Sequence, residues 1–174
     1  MYFWCLIKII VMRKIFFIFF IAAATMASAQ IKPHTLGMKM GGGNWFTFEA
    51  SYQHALSSST RLEFNLGILS GNYDSDHDWD HRHYYYNHNT GFSLSGAYQW
   101  VVPIESGFNW YIGPSVRIGT KNEAFLFGLA PQVGVEYNFN NIPLQLCTDM
   151  RTGLGVNRDA FFLWDFMIGV RYAF

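Results

Sequence analysis

The last fourteen residues set the tightest constraint on how this chain can fold. Phe162, Trp164, Phe166, Ile168, Val170, Tyr172 and Phe174 occupy every second position, and Asp165, Met167, Gly169, Arg171 and Ala173 fall between them. A period of two puts the two sets on opposite faces of a pleated strand. The same beat recurs upstream. Phe127, Leu129, Val133, Val135, Tyr137 and Phe139 oppose Gly128, Ala130, Gln132, Gly134, Glu136 and Asn138. Phe108, Trp110, Ile112, Val116 and Ile118 oppose Asn109, Tyr111, Ser115, Arg117 and Gly119, and Leu62, Phe64, Leu66 and Ile68 oppose Glu63, Asn65 and Gly67. Eight such segments are predicted, at about 34–40, 45–54, 61–69, 91–101, 108–119, 124–139, 144–156 and 161–174. No amphipathic helix competes with them.

The first residues read differently. Met12-Arg13-Lys14 leads into an apolar run from Ile15 to Met26, and Ala27-Ser28-Ala29 then precedes Gln30. Charge, apolar stretch and small-x-small site come in the order of a secretory signal peptide. The expected organisation is an N-terminal extension plus cleaved leader over 1–29 and one domain over 30–174, with Met12 as an alternative start to Met1. Without the leader, nine Lys and Arg face twelve Asp and Glu, a net charge of −3 that argues against a nucleic-acid partner. Cys5 falls in the leader and Cys147 is alone in the remainder, so no internal disulfide is expected, and neither cysteine is placed as a lipoprotein signal.

Alternation alone does not say which face is wet. A soluble, lipocalin-like exported barrel would turn the apolar face inward. Three features favour the opposite. Charged residues are 14% of the chain while aromatics are 19%, an inversion of soluble composition. The polar face is rich in Gly, Ala and Ser, which suits a crowded small-barrel interior. Aromatics also gather at segment ends, as in an interfacial girdle: Trp100 and Phe108 flank one turn, and Tyr137 and Phe139 precede another. In hydrocarbon every backbone donor and acceptor needs an internal partner, so such strands must close on themselves. The expected fold is all-β, an eight-stranded antiparallel up-and-down transmembrane barrel. Its one long connection, 70–90, then lies on the side away from both termini. Pro114 and Pro131 each remove a ladder donor inside a segment, and a bulge is expected at each.

Two pieces of sequence carry a resemblance. The leader ends in Ala27-Ser28-Ala29, and the chain finishes on Phe166-Met167-Ile168-Gly169-Val170-Arg171-Tyr172-Ala173-Phe174. Together with the eight alternating segments, and with the further echo of Glu136-Tyr137-Asn138-Phe139 and Ile142-Pro143-Leu144, they resemble the small outer-membrane β-barrels of Gram-negative bacteria, of the OmpA-barrel and OmpX type. The resemblance implies residence in the outer membrane, contact with its lipids, and recognition of Tyr172 and Phe174 by the barrel-assembly machinery. It does not imply an activity.

Parity assigns Lys39, Glu49, Glu63, Arg117, Glu136, Asp149, Arg151, Asp165 and Arg171 to the inner face, with Arg61 near an end. Charges confined to so narrow a lumen are expected to pair, which describes a plugged barrel better than a channel. The connection 70–90 carries Asp74, Asp76, Asp78 and Asp80 with His77, His81, His83 and His88. Imidazole and carboxylate are ligands for zinc and similar ions, but the spacing fits no named motif, and a solvated surface loop is the plainer reading. Trp79 and Tyr84 to Tyr86 could serve a surface partner. Ser51, His54 and Glu49 have the residue types of a hydrolase or acyltransferase site, yet parity sends Ser51 and His54 to opposite faces. The sequence reading is therefore a non-enzymatic surface barrel without a cofactor. A small pore or solute-binding barrel, a membrane lipid hydrolase and a soluble barrel remain as alternatives.

Overall fold

A computed structural model describes residues 31–71, 90–121 and 123–174. The leader predicted at 1–29 and most of the long connection, including its four histidines, lie outside the described residues. Eight strands follow one another: β1 (His34–Gly43), β2 (Phe46–Ala55), β3 (Thr60–Ser70), β4 (Gly91–Glu105), β5 (Phe108–Lys121), β6 (Ala124–Asn138), β7 (Leu144–Asn157) and β8 (Asp159–Ala173). Each pairs antiparallel with the next, and β8 returns to β1, closing the barrel in sequence order. Closure leaves no unpaired edge. Strand ends differ from the sequence expectation by no more than four residues, most at β4, which runs on through Pro103 to Glu105.

Chain direction sorts the connections. The β1–β2, β3–β4, β5–β6 and β7–β8 connections leave and re-enter the barrel at one end, and 56–59, 106–107 and 139–143 cap the other, where β1 begins and β8 finishes. The turn between β4 and β5 is only Ser106-Gly107, with φ of 36° and 94°. Positive φ at both central residues is what a two-residue hairpin needs to match strand twist, and glycine takes it without strain.

Burial along every strand alternates, and its sense is inverted relative to a water-soluble protein. Leu66, Phe125 and Leu154 are 63%, 66% and 72% exposed on the outer face, while Glu49 and Glu63 are fully buried on the inner one. The apolar sets read from the sequence on β3, β5, β6 and β8 point outward, and exposed Leu36, Phe48, Leu94 and Leu146 continue that face on β1, β2, β4 and β7. Rings mark both rims of this apolar wall. Tyr98–Trp100, Phe108–Tyr137–Phe139 and Tyr172–Phe174 pack at the end that holds the termini, and Trp45 meets Phe161 at the other.

No bulge forms at Pro114 or Pro131, against expectation. The two prolines lie directly opposite each other in an unbroken β5–β6 register. Their missing donors face away from that pair, where the ladders open instead. Tyr98 and Gln99 have no Cα partner across from Gly113 and Pro114, and Ala130 and Pro131 have none across from Thr152 and Gly153. The sheet stays closed because a glycine sits at each opening. A Cβ on Gly113 would lie 1.7 Å from the Tyr98 carbonyl oxygen, and one on Gly153 would lie 2.1 Å from that of Leu129. A register shift falls elsewhere, between Pro103 and Glu105 in β4.

Candidate functional site

The inner faces of the eight strands converge on a lumen filled with charge. Lys39, Arg61, Arg117, Arg151 and Arg171 meet Glu49, Glu63, Glu136, Asp149 and Asp165, all buried. The contacts run across the barrel, between strands that are not neighbours in the sheet. Towards the long connection, Arg151 of β7 grips both carboxylate oxygens of Glu49 on β2, at 3.0 and 2.7 Å. Arg117 of β5 bridges the same carboxylate at 3.2 Å and Asp165 of β8 at 2.7 Å. At mid-height, Lys39 of β1 lies 3.0 Å from Glu63 on β3 and 2.5 Å from Asp149 on β7. Nearer the termini, Arg61 of β3 reaches Glu136 of β6 at 2.6 Å, and its guanidinium stacks 4.8 Å from the centre of the Tyr111 ring.

Glu63 is the hub. Its Oε1 accepts from Lys39, Asn65 and Gln132, and its Oε2 from Gln53, Gln99 and Arg171, at 2.8 to 3.3 Å. Six donors from six strands converge on one side chain. Taking a carboxylate out of water is costly by itself, and pairing plus full hydrogen bonding is what makes it tolerable. Arg171 is treated the same way: its Nε donates to Ser51, its Nη1 to Gln145 and its Nη2 to Glu63.

The neutral members of this network were not singled out in the sequence. Gln53, Gln99, Gln132, Gln145, Asn65, Asn109 and Tyr111 share the inner parity of the charged residues, and that parity is the signal that would have found them. Arg61, placed at an end by the sequence, is a full member. Inward apolar side chains were also missed. Leu69, Leu126 and Leu163 turn inward with essentially no exposure towards the long connection, and Met167 does so deeper in the barrel, across from Asp149. At the opposite end Val101 and Tyr111 pack together, with Ile31 against them. Buried polar groups reach both ends beside them, Thr47 and Lys121 at one and Thr35, Asn138 and Gln145 at the other.

The remaining sequence candidates separate. Ser51 faces the lumen and accepts from Arg171, Glu49 is held by two arginines, and His54 lies on the outer face beside His34. No nucleophile–base pair arises from these three. Cys147 is a buried lumen residue. His77, His81, His83 and His88 are outside the described residues. Tyr172 and Phe174 project outward with their rings stacked, and the Phe174 backbone exchanges hydrogen bonds with His34 at 2.9 and 3.2 Å.

No family model and no curated protein matches the chain. Solved structures do. The chain is similar to Neisserial surface protein A, with a TM-score of 0.54 and 13% identity over 81% of this chain and 94% of that one. It is also similar to outer membrane protein H from P. aeruginosa in DHPC micelles, with a TM-score of 0.49 and 11% identity over 82% of this chain and 99% of that one. The closed antiparallel eight-strand topology and the first of these likenesses agree. In its fold, this chain is a closed eight-stranded antiparallel β-barrel similar to that of Neisserial surface protein A.

Proposed function

We propose that the protein is an integral outer-membrane barrel without enzymatic activity, which keeps its lumen sealed and presents the connection 71–90 on the outer side. One observation carries this reading: the wall is apolar on the outside and charged on the inside. Such a wall is stable only where hydrocarbon surrounds it. Outer-membrane lipids are then its solvent, and the rings at both rims sit at the headgroup level. Tyr172 and Phe174, on the outer face of the last strand, are the residues offered to the assembly machinery.

The sealed lumen rests on the direction of the ion pairs. Bonds that cross the barrel from β2 to β5 and β7, and from β3 to β1, β6 and β8, occupy the path an ion would take. A non-enzymatic role rests on the separation of Ser51 from His54 and on the pairing of each lumen carboxylate with a buried cation. Surface recognition through residues 70–90 follows from placing the long connection opposite the termini. With residues 1–29 removed as a leader, the net charge of −3 argues against a nucleic-acid partner.

The test is fractionation followed by reconstitution. Protein in the outer-membrane fraction that changes mobility on SDS gels only after boiling, and gives no discrete conductance in planar bilayers, is the expected result. Recovery from the soluble periplasm would refute the membrane assignment, and stepwise conductance would refute the seal.

A further inference from the structure

We propose that His34 and His54 form a binding site for a divalent transition-metal ion, of the zinc class, at the rim of the barrel that holds the termini. The two residues are direct cross-strand partners on β1 and β2. Their Nδ1 atoms lie 3.3 Å apart. Two nitrogens bound at ~2.0–2.1 Å to a tetrahedral ion are separated by about 3.3–3.4 Å, so the pair already has the spacing of two ligands on one zinc. Tyr52, two residues from His54 on the same outer face, brings its hydroxyl to 2.9 Å from the same His34 nitrogen. Two further heteroatoms thus lie within 3.3 Å of the His34 Nδ1 atom, on the outer face.

The site is held from the backbone upward. His34 exchanges main-chain hydrogen bonds with Phe174, and its ring lies between those of Phe174, at 5.6 Å, and His54, at 5.0 Å. The His34 and His54 planes are inclined by 27°. Planes so nearly parallel leave the two in-plane lone pairs side by side, and binding turns the rings about χ2, a soft torsion for histidine. The pair supplies two of the four ligands of a tetrahedral ion, and water fills the rest. Imidazole donors at this geometry select zinc, nickel and copper ions over calcium or magnesium.

The test uses the full chain folded in detergent micelles and Zn2+ alone as the probe. Modification of each histidine by diethyl pyrocarbonate is followed by mass spectrometry, with and without the ion. Residue-by-residue readout keeps this pair distinct from His77, His81, His83 and His88. At a free Zn2+ concentration ten times the dissociation constant, His34 and His54 should be modified about tenfold more slowly. Calorimetry on the His54→Asn variant should show one ion fewer per chain than the unaltered protein, and Ca2+ should give neither effect. Unchanged modification of the pair in saturating Zn2+ would overturn the proposal, and so would equal stoichiometry in a folded His54→Asn variant. If that variant does not fold, the modification rates of the unaltered protein decide.

Discussion

Replacing Glu63 by glutamine gives the sharpest test of the lumen network. The substitution keeps shape and volume and removes one charge, so packing is not disturbed. The six donors on Glu63 are divided three to each oxygen. Whichever way a glutamine amide is turned, its NH2 group must face three N–H donors. Lys39 keeps Asp149 as a counter-ion, but among the described residues Arg171 loses its one close carboxylate and is left with Ser51 and Gln145. Removing one partner of a buried pair costs about 3–5 kcal/mol, and Glu63→Gln should fall in that range despite its conservative shape. Urea unfolding in detergent micelles, followed by tryptophan fluorescence, reads the loss directly. Combining Glu63→Gln with Arg171→Met should recover part of it, because the guanidinium that lost its counter-ion is then removed and the amide can turn its NH2 group to the side it vacated. A Glu63→Gln barrel within about 1 kcal/mol of the unaltered protein, a change typical of sites without a special mechanism, would refute the claim that this carboxylate organises the lumen.

Other consequences can be checked in the same assay. A Cβ on Gly134 would lie 2.5 Å from the Tyr111 ring and 2.6 Å from the Thr148 carbonyl oxygen, whereas one on Gly96 meets nothing nearer than 3.9 Å; Gly134→Ala should cost about 1–3 kcal/mol and Gly96→Ala much less. Leu66, in the middle of β3 and 63% exposed on the outer face, should lose about 2–4 kcal/mol as arginine in a bilayer, measured by unfolding from liposomes. Deleting Phe174 removes two backbone hydrogen bonds and a ring stack on His34, and should lower the fraction of protein that shows a boiling-dependent mobility shift in membrane extracts.

Period-two alternation made the architecture legible, because one rule assigns a face to every residue once a single strand is oriented. It placed Lys39, Glu49, Arg117 and Arg171 on the inner side without any knowledge of neighbours. What it lacked was a partner list. Arg117 meets Glu49 across sixty-eight positions of sequence, and nothing local announces that. The neutral members were passed over for a different reason. Gln99 and Gln132 look unremarkable until both are seen to point at Glu63. The prolines misled because one proline in a strand predicts a bulge, while two facing each other send their missing donors outward and leave their shared ladder intact. His34 and His54 drew no attention as a pair because strand register, which alone brings them together, cannot be read to one residue from pattern.

The cross-barrel ion pairs also act as a check on how the last strand joins the first. If β8 slipped by one residue against β1, Asp165 and Arg171 would turn outward and the phenylalanines inward, an error that the membrane itself rejects. A slip of two residues is subtler, since every side chain keeps its face. It would carry Asp165 and Arg171 about 7 Å along the barrel, out of reach of Arg117 and Glu63, which now lie 2.7 and 2.8 Å away. Alternation thus excludes the odd errors of closure and the lumen charges exclude the even ones, so that only one join leaves neither ring nor charge misplaced.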